Sequence, residues 1–177
     1  MNKADFVAIF FQDRNLTVKK CNTKPCAEDK VCPDSHFDVA IVIEANAKTG
    51  NYEEKIKKFL LSIISSYKSV SPGDARICLV RFSSWSETIS PFDQDQDINS
   101  ISIQINNLGF YGKGADLQDA IETMVTECFD ENNGWRGTSL TSNGVASQAI
   151  FLTHSDITDI KSKGQIILKI YQNLAST

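Results

Sequence analysis

The feature that most constrains this chain is the run Phe37-Asp38-Val39-Ala40-Ile41-Val42-Ile43, which is apolar without polar alternation. A strand with one wet face alternates apolar and polar residues, so a run like this suits a central strand buried on both faces. Helices must then cover two sides. The clearest candidate has Ile56, Phe59, Leu60, Ile63, Ile64 and Tyr67 at spacings of three and four, with Glu53, Glu54, Lys55, Lys57 and Lys58 on its other face. Acids lead and lysines follow, which complements the helix dipole, and Pro72-Gly73-Asp74 ends the segment.

A second strand is predicted at Ala75–Phe82, and Glu87-Thr88-Ile89 reads as a short edge strand before Pro91. Ile98, Ile101, Ile105 and Leu108 keep helical spacing, although Ile101, Ile103 and Ile105 also fit a strand. Leu117, Ala120, Ile121, Met124, Val125 and Cys128 define a further amphipathic helix, and Ala149–Thr153 a further buried strand. The order β-α-β-β-α-α-β predicts an α/β fold: a doubly wound, mostly parallel sheet with helices on both faces.

Residues 1–36 differ in pattern from 37–177, which suggests a lead segment ahead of the main domain. Phe6–Phe11 and Leu16–Lys19 flank Asp13-Arg14-Asn15 as a hairpin. A loop follows that crowds Cys21, Cys26 and Cys32 between and beside Pro25 and Pro33. Three cysteines in a segment with little to build a core suggest disulfide stapling in an oxidising compartment. The disulfide candidates are Cys21, Cys26, Cys32 and Cys128. Cys78, inside an apolar strand, is the natural free thiol of the odd five. A reduced chain with incidental thiols is the plainer alternative. Zinc fits less well, because no CxxC pair is present and the nearest histidine is His36. The sequon Asn15-Leu16-Thr17 agrees with a secreted glycoprotein, whose leader would lie outside this sequence.

The net charge of -4 offers no basic field for a phosphate backbone, so nucleic acid is not the expected partner. No apolar run approaches the roughly 20 residues of a membrane span. Catalytic signatures are missing as well. His154-Ser155-Asp156 is adjacent in sequence only, which does not supply triad geometry, and no GxSxG elbow occurs. Gly112-Lys113-Gly114 lacks the rest of a phosphate loop. Asp93-Gln94-Asp95-Gln96-Asp97 imitates the start of a calcium loop, but Ile98 stands where the turn glycine belongs and Gln104 where the bidentate Glu belongs. It reads better as acids leading into a helix. No enzyme and no cofactor are expected.

Residues 37–156 resemble a von Willebrand factor A domain. Asp38–Ile43 is similar to that family's first strand and runs into Glu44-Ala45-Asn46-Ala47-Lys48, where the family carries Asp-x-Ser-x-Ser. Val80-Arg81-Phe82-Ser83 resembles its second strand. Leu108–Ile121 resembles its Gly-rich loop and third helix, and Ala149–Asp156 its fourth strand, which in the family normally ends in Thr-Asp-Gly. The resemblance implies a metal-ion-dependent adhesion site whose ligand positions fall here on Glu44, Asn46, Lys48, Ala115 and His154. Hard dications want oxygen ligands in near-octahedral order. Ala115 offers none, Lys48 brings a competing positive charge, and His154 replaces an anionic oxygen by nitrogen. The site is therefore expected to be degenerate, with no metal bound.

Ligands of open α/β sheets bind at the carboxyl ends of the strands. The loops expected there carry Glu44, Asn46, Lys48, Trp85, Lys113, Asp116, His154 and Asp156. They form the candidate surface for a protein ligand, with a Glu44–Lys48 or Glu44–His154 ion pair in place of the cation. A vestigial, solvated face is the plainer alternative. Trp85 and Trp135 fall in predicted loops, where an exposed indole could anchor a partner, although an indole tucked over the sheet edge is the commoner outcome.

After Asp156 too little chain follows for the family's closing strands. Ile157, Ile160, Ile167, Tyr171 and Leu174 suit a helix, whereas Ile166–Tyr171 also fits a strand. Three consequences are open: Phe6–Phe11 pairs with the exposed sheet edge, two chains cover each other's edge as a homodimer, or the fold is naturally short. The expectation is a secreted, non-catalytic, metal-independent recognition or adhesion module, the alternative an assembly protein that homodimerises through that edge.

Overall fold

The computed structural model describes residues 7–12, 15–20, 36–137 and 145–154. Cys21, Cys26, Cys32, Asp156 and the segment 157–177 lie outside the described residues.

Among the described residues, six strands form one sheet in the order β2-β1-β6-β3-β4-β5. The strands are β1 (Val7–Gln12), β2 (Asn15–Lys20), β3 (Phe37–Glu44), β4 (Ala75–Phe82), β5 (Ser86–Ser90) and β6 (Ala146–Thr153). The helices are α1 (Glu53–Ile64), α2 (Ile98–Asn106) and α3 (Leu117–Thr123), the last continuing as a wider π turn over Met124–Cys128. Among the described residues no helix is long and apolar enough to cross a membrane.

The unalternating run at 37–43 does what its composition requires. Every residue of β3 is buried, and β3 pairs in parallel with both β4 and β6. Successive side chains of a strand point to opposite faces, and each face has its own core. Val39, Ile41 and Ile43 meet Ile56, Leu60 and Ile64 of α1 and Ile101 and Ile105 of α2. Ala40 and Val42 share the other face with Phe92, Leu117, Ala120, Ile121 and Met124. The stretch from Ile98 resolves as helix. The Asp97 carboxylate caps it by accepting from the Asn99 and Ser100 amides at 2.9 and 3.0 Å, as acids leading into a helix should.

Of the described strands, the central three are parallel. β5 runs antiparallel to β4, and the β1–β2 hairpin packs antiparallel onto the free edge of β6. The hairpin expected near Asp13-Arg14-Asn15 is thus part of the main sheet, on the side of β6 away from β3.

The disulfide expectation needs correcting. Cys78 of β4 is bonded to Cys128 in the π turn, with Cα atoms 5.9 Å apart. Cys78 is not the free thiol. It sits at an inward position facing the α3 layer, and the wider turn holds Cys128 over the same face, both fully buried.

Two polar groups brace the end of the sheet opposite Glu44. Asp38 is completely buried at the start of β3 and receives Arg136 three times: Nε at 2.9 Å, Nη2 at 2.6 Å and the backbone amide at 2.9 Å. The same guanidinium donates to the carbonyls of Phe37 and Asp74, so the buried charge is both paired and hydrogen-bonded. On the β5 side, the Gln96 amide accepts from Ile77 N at 2.6 Å and donates to Ile77 O at 3.0 Å. It serves Ile77 as a strand would, beyond the point where β5 ends.

Candidate functional site

The carboxyl ends of β3, β4 and β6 converge at Glu44, Phe82 and Thr153. Three loops are tied together above them by backbone bonds: Ala45 N to Phe82 O, Tyr111 N to Ala45 O, Ala47 N to Gly112 O and Asp116 N to Ser83 O. Gly112 is required at this junction. Its φ is +88°, and a Cβ there would fall 2.7 Å from Ser83 Oγ.

At the centre lies Glu44, 4% exposed. Its Oε1 accepts from Asn46 Nδ2 at 2.8 Å, and its Oε2 accepts from Thr153 Oγ1 at 2.6 Å and from the His154 backbone amide at 2.8 Å. Asn46 Nδ2 also donates to Gly114 O at 2.8 Å, while Asn46 Oδ1 accepts from the amides of Lys48 and Thr49, both at 2.9 Å. This network fixes the amide's orientation. Turned over, its oxygen would face a carboxylate and a carbonyl, and its NH2 would face two N–H donors. Thr49 Oγ1 completes the arrangement, bonded to the carbonyls of Glu44 and Asn46.

The residues expected together are largely brought together. Glu44, Asn46, Lys48, Lys113 and Ala115 line one open depression of about 660 Å³. Lys48 and Lys113 are exposed. His154 touches this centre through its backbone, and its ring stacks on Tyr52 with centroids 6.5 Å apart. Around Glu44 the structure supplies hydrogen bonds from Asn46, Thr153 and the His154 amide. Asp116 plays a local part: its carboxylate caps α3 by accepting from Asp119 N at 3.1 Å.

The two tryptophans part company. Trp135 is tucked against the core, edge-on to Phe129, with its Nε1 donating to Ser147 Oγ at 3.0 Å. Trp85 is 44% exposed and lies 6.2 Å from the ring of Tyr111, itself 48% exposed. Buried Arg81 supports both, with its guanidinium 3.7 Å from the Tyr111 centroid and 5.3 Å from that of Trp85. The Arg81 guanidinium also donates to Tyr111 Oη and pairs with Glu87.

Tyr111, Arg81 and Thr153 were missed as site residues. Tyr111 and Thr153 each adjoin a position that was singled out, and an aromatic next to glycine in a loop was the available signal. Among the described residues no three His, Cys, Asp or Glu side chains gather as a metal site would require.

The model of the von Willebrand factor type A domain matches residues 38–173. This chain belongs to that family. The domain resembles part of the mouse (Mus musculus) collagen alpha-5(VI) chain, at 26% identity over 137 residues; this covers 77% of this chain and only 5% of that one. Among solved structures it is similar to proximal thread matrix protein 1 from the mussel byssus in a form described with a zinc-occupied MIDAS motif (TM-score 0.53, 19% identity). There 56% of this chain and 26% of that chain are covered. A second crystal form of the same mussel protein gives a TM-score of 0.53 at 20% identity, covering 58% and 27%. These structural likenesses are evidence of the shared fold.

Proposed function

We propose that this type A domain is a non-catalytic protein-recognition module of an extracellular matrix or adhesion protein, and that its loop face binds a partner without a bridging cation. The observation that carries the reading is the hydrogen-bonded state of Glu44 and Asn46. A hard dication needs oxygen ligands. Here the Asn46 oxygen is directed to two backbone amides, its nitrogen faces the carboxylate, Ala115 has no donor, and Lys48 brings an ammonium to the same depression. These residues do not fit the ion. In effect the Asn46 amide nitrogen stands where positive charge would be wanted beside Glu44.

Secretion is supported by the likeness to a collagen chain and to a byssus thread matrix protein, and by the Cys78–Cys128 bond, which is at home in an oxidising compartment. The recognition role is supported by the exposed Trp85 and Tyr111 rings beside the depression, since partly exposed aromatics are favoured anchors in interfaces.

Two measurements test this. Calorimetric titration with Mg²⁺, Ca²⁺, Mn²⁺ and Zn²⁺ should be silent for the wild type; saturable binding would overturn the metal-free part. Retention of the labelled domain on a matrix-coated surface should survive EDTA and fall in Trp85→Ala. Equal retention of that variant would sink the assignment of this face.

A further inference from the structure

We propose that Asn15 carries an N-linked glycan, and that this glycan, together with Lys19 and Lys20, closes the outer edge of β2 against pairing with another chain. The inference rests on the secreted reading above and adds a covalent site to it.

The sequence supplies the acceptor. Asn15-Leu16-Thr17 is the single Asn-x-Ser/Thr in the chain, and the residue between is not proline. The transfer joins the Asn15 carboxamide nitrogen to the anomeric carbon of an oligosaccharide carried on a polyprenyl pyrophosphate. The bond from that carbon to the pyrophosphate oxygen breaks, the lipid pyrophosphate leaves, and the nitrogen gives up one proton.

The fold places this acceptor at a rim. β2 ends the sheet order, and among the described residues no strand pairs with its far side. Asn15 is its first residue and pairs with Gln12, the last of β1. The register sets Asn15 in one cross-strand row with Gln12, Gln148 and Val39. Val39 is fully buried, Gln148 is half-buried and accepts from Tyr67 Oη at 3.3 Å, and Gln12 and Asn15 follow outward. A row that turns polar as it leaves the core is a sheet passing into water, where a bulky hydrophilic group fits.

Edge protection gives the glycan its role. A terminal strand presents unpaired amides and carbonyls to any passing strand, and natural sheets blunt such edges, with lysine and bulges among the means. At the other end of the sheet, the pairing of β5 with β4 is irregular between Leu79 and Val80. β2 has an unbroken register, so it needs another device. Lys19 and Lys20 guard its end, whereas Asn15–Val18 carries no charge. The glycan covers that uncharged half.

For the test, the full chain is secreted from cultured animal cells behind a signal peptide, and its mass is read before and after peptide N-glycosidase. The enzyme should remove an oligosaccharide and leave aspartate at position 15 in the peptide map. Asn15→Gln and Thr17→Ala should lack the glycan, and Thr17→Ser should keep it. In analytical ultracentrifugation the glycosylated protein should hold the monomer mass as concentration rises. Enzyme-treated protein, and Asn15→Gln without the added aspartate, should climb toward twice that mass. Glycan-free Lys19→Thr/Lys20→Thr should climb at lower concentration. The enzyme acts on protein already folded, and thermal unfolding checks the fold of each variant.

Secreted protein with an unmodified Asn15, or glycan-free protein that stays monomeric at every concentration, would overturn the proposal. A chain retained in the cell with Cys78 and Cys128 unpaired would defeat the secreted reading itself. Secreted, disulfide-bonded protein with a bare Asn15 would defeat this inference alone.

Discussion

Asn46 Nδ2 donates to Glu44 Oε1 at 2.8 Å, two residues away in sequence and beneath the loop surface. A neutral amide therefore holds a buried carboxylate from the side on which the family's motif would set another ligand oxygen. Asn46→Asp replaces that donor by a second anion while deleting the bond to Gly114 O. The variant should lose about 2–4 kcal/mol at neutral pH, because a buried charge is left facing a like charge. Added Mg²⁺ should restore part of the loss. Urea denaturation with and without Mg²⁺ reads both effects, and a midpoint equal to that of the wild type would show that the bond does not govern stability.

The Asp38–Arg136 pair supports a larger effect. Asp38 is fully buried and its carboxylate depends on Arg136 for three hydrogen bonds. Arg136→Met should cost about 3–5 kcal/mol, the usual result of stranding a buried charge. The double variant with Asp38→Asn should recover much of it. A double variant no better than Arg136→Met would mean that the carbonyl contacts of Arg136, not the charge, dominate.

Cys78 and Cys128 close a loop with a sequence separation of 50. The loop-entropy relation gives such a cross-link about 4 kcal/mol of stabilisation. The bond is buried, so reductant alone should act slowly on the native fold, and urea should accelerate it. Denaturation midpoints measured with and without reductant give the size. Coincident midpoints would argue against the bond.

Asp97 gives the chain a pH signature at α2. The hydrogen bond from the Ser100 side chain, then those from the Ser100 and Asn99 amides, hold its carboxyl below the usual range. A folded value below the unfolded one contributes stability that is present above pH of about 4 and disappears as pH falls through the lowered folded value. Asp97→Asn should therefore lower the unfolding midpoint at pH 7, with the gap to the wild type narrowing in acid. A gap independent of pH would point to the cap geometry alone.

Much of the fold was legible because burial writes itself into periodicity. The unalternating run of β3 and the three- and four-residue spacings of α1 and α3 each admit few structures. Glu44, Asn46 and Lys48 were found through the resemblance to the type A family, whose ligand motif follows directly on the first strand. Hydrogen-bond partners were harder to see. Gln96 sits in a run of polar residues and looked like any loop amide, yet it is buried and satisfies both backbone groups of Ile77. Thr153 was read as strand rather than as a donor to Glu44. Cys78 was the expected free thiol because it lies inside an apolar strand pattern. Its pairing depends on a 5.9 Å approach through space that no local pattern records.

The hairpin on the edge of β6 also sets an order of events. β1 and β2 are neighbours in the chain and can pair within microseconds, but the strand they dock on, β6, is the last strand described. β6 itself joins β3 on its other side. On a ribosome the hairpin is made before β6 and its docking edge stays unpartnered until β6 emerges, so the first and last strands described complete the sheet together. Long-range closure of this kind slows folding, and during synthesis a chaperone or a neighbouring chain would find its opening at the edge of β1 that β6 later covers.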